Sequence, residues 1–98
     1  MIIIGLIKIM LQQHITIINK FGLHTRAAAK LVALAARFES SIKLTKNDHT
    51  IDAKSIMGVI TLGATKDSIL ELSITGGDEL EARDAILGLV NGRFGEPE

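Results

Sequence analysis

From residue 11 onward the chain switches between two hydrophobic spacings. Ile15 and Ile17 are apolar, and His14 and Thr16 between them are polar, the period-two pattern of a strand buried on one face. Ala28, Leu31, Val32 and Ala35 then fall at i, i+3, i+4 and i+7, which predicts an amphipathic helix over 25–37. Ile42 and Leu44 alternate with Lys43 and Thr45 in a second strand. Asn47-Asp48 supplies a turn, and Ile51 and Ala53 point inward from a third strand. Ser55 stands at the N-cap of a short helix reaching about Leu62, with Gly58 inside it and Gly63 at its end. Leu70, Leu72 and Ile74 alternate with Glu71 and Ser73 on a fourth strand, which Gly76-Gly77 ends. Asp78 with Glu81 three residues on predicts a capping box for the last helix. Ala82, Ala85, Ile86, Leu89 and Val90 form the buried stripe of that helix, and Gly92 closes it. The tail Gly95-Glu96-Pro97-Glu98 is expected to fray.

The order is therefore β-α-β-β-α-β-α. Every strand has one apolar and one polar face, which fits an antiparallel sheet wet on one side. The helices must cover the other side. The expected fold is α+β, an open-faced sandwich of a four-stranded antiparallel sheet with three helices on one face. A generic ferredoxin-like domain shares the first six elements, so periodicity alone does not name a family.

Composition narrows the function classes. At 98 residues the chain is one domain, with no repeat or linker. Hydrophobic residues make up 47% and aromatics only 3%, so the core must be built from Ile, Leu, Val, Ala and three Phe. There is no cysteine, which removes disulfides and thiolate metal sites and suits a reducing cytoplasm. Lys plus Arg equals Asp plus Glu at 11 each, and this balance argues against a general nucleic-acid binder. His14 is expected on the outward face of the first strand and His49 in a hairpin turn, both at the surface, and with His24 they show no metal-ligand spacing. No metal or cofactor is expected.

Residues 1–9 stand outside the pattern. They are apolar but too few to span a membrane, and they lack the basic leader and small-residue cleavage site of a signal peptide. The expectation is an extra N-terminal segment, disordered or added by an early start at Met1 rather than Met10, with the domain covering 10–98. An additional strand or a sticky arm promoting association is the alternative; the expected state is a monomer.

The chemistry centres on Gly22-Leu23-His24-Thr25-Arg26-Ala27-Ala28-Ala29-Lys30-Leu31-Val32. This stretch turns the first strand into the first helix and leaves His24 or Thr25 at the N-cap. A helix start offers unpaired N–H groups and the positive end of the dipole to an anion. Arg26 adds a fixed cation with a planar fork of donors. An imidazole beside an anion cradle is equipped to accept a phosphoryl group, although spacing alone equally allows a histidine that is merely exposed.

The same stretch resembles the active-site segment of the HPr family, the histidine-containing phosphocarriers of the bacterial sugar phosphotransferase system. A second run, Lys54-Ser55-Ile56-Met57-Gly58-Val59-Ile60-Thr61-Leu62-Gly63, resembles the family's regulatory-serine segment, in the family's order and near its spacing. The resemblance spans roughly residues 11 to 95. It implies that His24 carries the phosphoryl group on Nδ1, with Thr25 and Arg26 stabilising it, and that no cofactor is needed. It implies enzyme I as donor, an enzyme IIA as acceptor and an HPr kinase acting on Ser55. It further implies a docking surface around Phe21, Leu23, Lys30, Lys54, Ile56 and Met57, although Phe21 and Leu23 could equally be core. One departure is Ala27, where the family usually has proline; alanine restores an N–H and gives up roughly 0.4–1 kcal/mol of chain stiffening. Two alternatives stand beside the sugar phosphocarrier: a regulatory phosphoprotein of the nitrogen branch, and a small binding or assembly module in which His24 is inert.

Overall fold

The computed structural model describes residues 10–98. The elements are β1 (Leu11–Thr16), α1 (Thr25–Ala35), β2 (Ser41–Lys46), β3 (His49–Asp52), α2 (Ile56–Thr61), β4 (Ile69–Thr75) and α3 (Glu79–Asn91), followed by a 3₁₀ turn over Arg93–Gly95. The four strands form one antiparallel sheet in the order β1-β4-β2-β3. The expected β-α-β-β-α-β-α order and open-faced sheet are those observed. The expectation about residues 1–9 lies outside the described residues.

The period-two pattern decides which face is covered. Ile15, Ile42, Leu44, Ile51, Leu70, Leu72 and Ile74 are all buried on the helix side. In register, Ile15 faces Leu70, Ile42 faces Ile74 and Leu44 faces Leu72, so β4 forms the centre of the apolar layer. On the opposite face His14 pairs with Glu71 and Lys43 with Ser73, and these residues remain at least partly exposed. Ala27, Ala28, Leu31 and Ala35 of α1, Val59 of α2, and Ala82, Ile86 and Val90 of α3 close the core from above. Small alanines on α1 let its backbone come close to α2 and α3, which an aromatic-poor chain needs if its core is to be dense.

Four expectations are corrected. Helix α1 ends at Ala35 rather than residue 37, because Arg37 and Phe38 turn tighter and bond to Leu34 O and Ala35 O, three residues back. His49 is the first residue of β3, opposite Lys46, and not part of the turn itself. Asp78 does occupy the N-cap of α3, but its side chain does not cap. It instead accepts hydrogen bonds from the backbone N–H groups of Glu39 and Ser40, at 2.9 and 3.0 Å, and from the Ser40 hydroxyl. Glu81 makes no capping box; Glu79 takes the N–H of Gly76. A loop 38 residues away thus uses the carboxylate that local pattern assigned to the helix. That loop sits so close that a Cβ on Gly76 would lie 2.6 Å from Ser40 Cα.

The fourth correction is the tail. It is anchored: just before it Phe94 is 1% exposed and packs into the core, with Lys30 Nζ donating to its carbonyl at 2.7 Å, and within it Glu96 Oε1 accepts from Asn19 Nδ2 at 2.9 Å. The aromatic ring supplies the burial that the polar residues around it cannot.

Candidate functional site

Three pieces of chain meet where β1 hands over to α1. The first is the turn at 19–24. Gly22 takes φ +64°, and a Cβ there would come within 2.5 Å of Ala64 O, so the position requires glycine. Leu23 N–H bonds to that same carbonyl at 2.9 Å, which locks the turn against the loop that follows α2. Leu23 is 6% exposed and Phe21 65% exposed. Leu23 is therefore core, not a docking residue, because the turn that presents His24 must bury its neighbour to be rigid.

The second piece is the start of α1. His24 is the N-cap, with φ −71° and ψ 175°, and its side chain does not cap. The first helical bond runs from Ala28 N–H to His24 O at 2.8 Å. The N–H groups of Thr25, Arg26 and Ala27 have no helical partner, and among the described residues no side chain caps them. Thr25 and Arg26 are exposed, and Arg26 makes no ion pair among the described residues. Ala27 is buried, and the helix begins at Thr25 without a proline.

The third piece is the tail, which the residue pattern did not connect to the site. Glu96 Oε2 lies 2.5 Å from His24 Nε2, and Glu96 Oε1 accepts from Asn19 Nδ2 at 2.9 Å. The Asn19 amide, followed by the His24 ring, holds the Glu96 carboxyl below the usual carboxylate range. Glu98 approaches Lys20 at 3.5 Å. Phe21, His24, Arg26, Glu96, Pro97 and Glu98 line an open cavity of about 230 Å³. The Phe21 ring meets the His24 imidazole edge-on, with centroids 6.3 Å apart.

Asn19 and Glu96 are the residues that sequence reasoning missed. An asparagine straight after the isoleucines of the expected first strand, two residues on from Ile17, is a weak signal of a buried polar link. A single phenylalanine in a polar tail is a weak signal of an anchor.

The second motif is built differently. Ser55 caps α2, with Oγ accepting Gly58 N–H at 3.1 Å. Ile56 and Met57 are exposed in the first turn. Lys54 reaches back to Phe38 O at 2.7 Å, and Lys30 to Phe94 O, so each ammonium holds a carbonyl of its own chain. Among the described residues there is no group of three or more His, Asp or Glu placed to hold a metal, and no helix is long and apolar enough to cross a membrane.

The fold and this site define an open-faced α+β sandwich that carries one histidine at an uncapped helix start. The family model for the PTS HPr component phosphorylation site matches residues 11–92. The chain is 54% identical over 89 residues to the phosphocarrier protein HPr of Cupriavidus necator, covering 91% of this chain and all of that one. It is 49% identical over 89 residues to the HPr of Neisseria meningitidis serogroup A, with the same coverage. The crystal structure of HPr-C-His from Thermoanaerobacter tengcongensis superposes with a TM-score of 0.87 at 41% identity, covering 90% of this chain and 99% of that chain. The chain belongs to the HPr family.

Proposed function

We propose that the protein is the phosphocarrier of a sugar phosphotransferase system and that His24 holds the transferred group. It takes a phosphoryl group from enzyme I and passes it to an enzyme IIA. The observation that carries this reading is the Nδ1 edge of His24, which has no hydrogen-bond partner among the described residues. The opposite ring nitrogen is engaged by Glu96, the ring belongs to the N-cap of α1, and Arg26, which makes no ion pair among the described residues, lines the same cavity. Such a site suits transfer in both directions: donors and a guanidinium stabilise charge on the group in flight, while an open, exposed cradle does not trap it. In this reading the protein is not itself an enzyme, because the group rests on His24 between the reactions of two partners. A cytoplasmic location goes with that role, and the cysteine-free chain is consistent with it.

Phe21, Ile56 and Met57 supply the exposed apolar contacts for partners. Ser55 is the second, regulatory phosphorylation site, acted on by an HPr kinase. The regulatory nitrogen-branch reading is not favoured, since the close relatives described above are HPr proteins.

The test is incubation with enzyme I and phosphoenolpyruvate. Wild type should gain an acid-labile, base-stable phosphoryl group, and His24→Ala should gain none. Equal labelling of both would sink the assignment, and no labelling of either would leave the inert binding module as the better reading.

A further inference from the structure

We propose that Glu96 is a positioning residue for His24, its carboxylate taking the Nε2–H so that the Nδ1 lone pair is left as the ring's one nucleophile. This rests on the carrier reading above. The geometry behind it begins in the core. Asn19 is 0% exposed, and a buried amide is costly unless its donors find partners. Its Nδ2 donates to Gly22 O and to Glu96 Oε1, both at 2.9 Å. One buried amide therefore ties the His24 turn to the tail. The tail is fixed from its other side by Phe94 and the Lys30 contact.

The protonation state follows from which atoms can donate. An ionised carboxylate only accepts. With Oε2 2.5 Å from Nε2, the proton between them belongs to the imidazole. A neutral ring with its proton on Nε2 has its lone pair on Nδ1.

The transfer step then balances. The Nδ1 lone pair attacks phosphorus on the donor's phosphohistidine, and a new N–P bond forms as the donor's N–P bond breaks. The electron pair of the broken bond returns to the donor nitrogen. The His24 ring retains its Nε2 proton and gains positive charge, which the Glu96 carboxylate faces directly. Glu96 holds this proton throughout the step and does not remove it. When the phosphoryl group leaves for the acceptor, the ring becomes neutral with the same tautomer, ready to accept again.

Asn19 makes the argument testable. Because its amide donates to the oxygen at the Oε1 position, Glu96→Gln should seat its own oxygen there. The new NH₂ then faces His24 and turns Nε2 into an acceptor, which moves the ring proton to Nδ1 and blocks the nucleophile. Glu96→Ala removes the partner without imposing the wrong tautomer. Both variants are compared with wild type as full-length proteins. Single-turnover labelling by phosphorylated enzyme I is followed across donor concentrations, and ¹⁵N NMR of the His24 ring reports the tautomer. Glu96→Gln should slow transfer at saturating donor by about 10- to 100-fold, because it holds the ring in the wrong tautomer; the size is that seen when the group orienting a metal-bound histidine is lost. Its half-saturating donor concentration should stay near wild type. Glu96→Ala should lose less, and only the Gln variant should show Nδ1 as the protonated nitrogen. A Gln variant as fast as the Ala variant, or one with the wild-type tautomer, overturns the proposal while leaving His24 as carrier. A wild-type protein that takes no label overturns the carrier reading and this proposal with it.

Discussion

Helices α1 and α2 pack against each other, and their first turns are finished in opposite ways. At α2 the N-cap side chain does the ordinary work: Ser55 Oγ takes the Gly58 N–H at 3.1 Å. At α1 the N-cap is His24, and its ring is drawn away to Glu96, leaving the first N–H groups without a cap. A cap stabilises its helix by about 1 kcal/mol because it satisfies an orphan donor. An open start gives up that stabilisation and keeps its donors and its end of the dipole for an anion from outside. The closed start needs only its own serine. The open one needs buried Leu23 and Gly22 to fix the turn, and a tail from the far end of the chain to hold the ring.

The open start is most directly broken at Arg26. Its side chain is exposed and forms no ion pair among the described residues, so nothing in the fold depends on it. Arg26→Ala should leave the melting temperature near wild type. It should slow single-turnover labelling of His24, with a loss of up to about 2.7–4 kcal/mol of barrier stabilisation if Arg26 acts as one electrostatic donor. An unchanged transfer rate would remove Arg26 from the mechanism and leave the backbone donors to explain it.

The closed start should respond the other way round. Ser55→Ala leaves the Gly58 N–H without its acceptor and should cost about 1 kcal/mol, read as a lower denaturant midpoint at unchanged slope. Labelling of His24 should proceed at the wild-type rate. A neutral Ser55→Ala would show that the cap contributes nothing, and the contrast between the two starts would lose its energetic basis.

The two starts also differ in how far the sequence reveals them. The strands and helices were legible because Ile42, Leu44, Leu70, Leu72 and Ile74 obey the period of the sheet, and Ala28 and Leu31 that of a helix. The Ser55 cap was legible because it joins residues three apart. His24 was legible as a helix-start histidine beside Arg26. The contacts that hold it were not, since Glu96 is 72 positions away from His24 and 77 from Asn19. The same limit hid the use of Asp78 by Ser40. A local pattern reports how a residue could serve its own helix, and it carries no record of a distant backbone that needs the same carboxylate more.

Those two long-range carboxylates give the comparison a pH dependence. Asp78 is held below the ordinary carboxylate range by the Ser40 hydroxyl first and then by the Glu39 N–H. Glu96 is held low by Asn19 and then His24. A carboxyl whose folded pKa is depressed adds stability above its unfolded value, about 4, and loses it as pH falls through the folded value. Melting temperature should therefore drop on acidification from about pH 5. Asp78→Asn and Glu96→Gln should each start lower at neutral pH and fall less steeply. Variants whose curves run parallel to wild type down to about pH 3 would show that neither carboxylate is held in solution as it is here.

The smallest expected effect comes from adding charge to the closed start. Aspartate is as good an N-cap as serine, and a negative group suits the positive end of a helix. Ser55→Asp should therefore melt within a few degrees of wild type. Its charge lies at the start of α2, beside exposed Ile56 and Met57, on a helix packed against α1. On the proposed function, a donor bringing an anionic phosphohistidine to His24 would approach across that neighbourhood, and like charges would raise the cost of its approach. Exposed charges interact by about 0.2–1 kcal/mol, so labelling should slow by no more than about fivefold at low salt. Salt screens such an interaction over about 10 Å at 0.1 M, so the gap to wild type should narrow as salt is added. A gap that persists at high salt would point to a shape change at the docking face instead of repulsion. Equal rates at low salt would mean that the start of α2 lies outside the donor's path, and that the proposed phosphate on Ser55 would act by recruiting a separate partner.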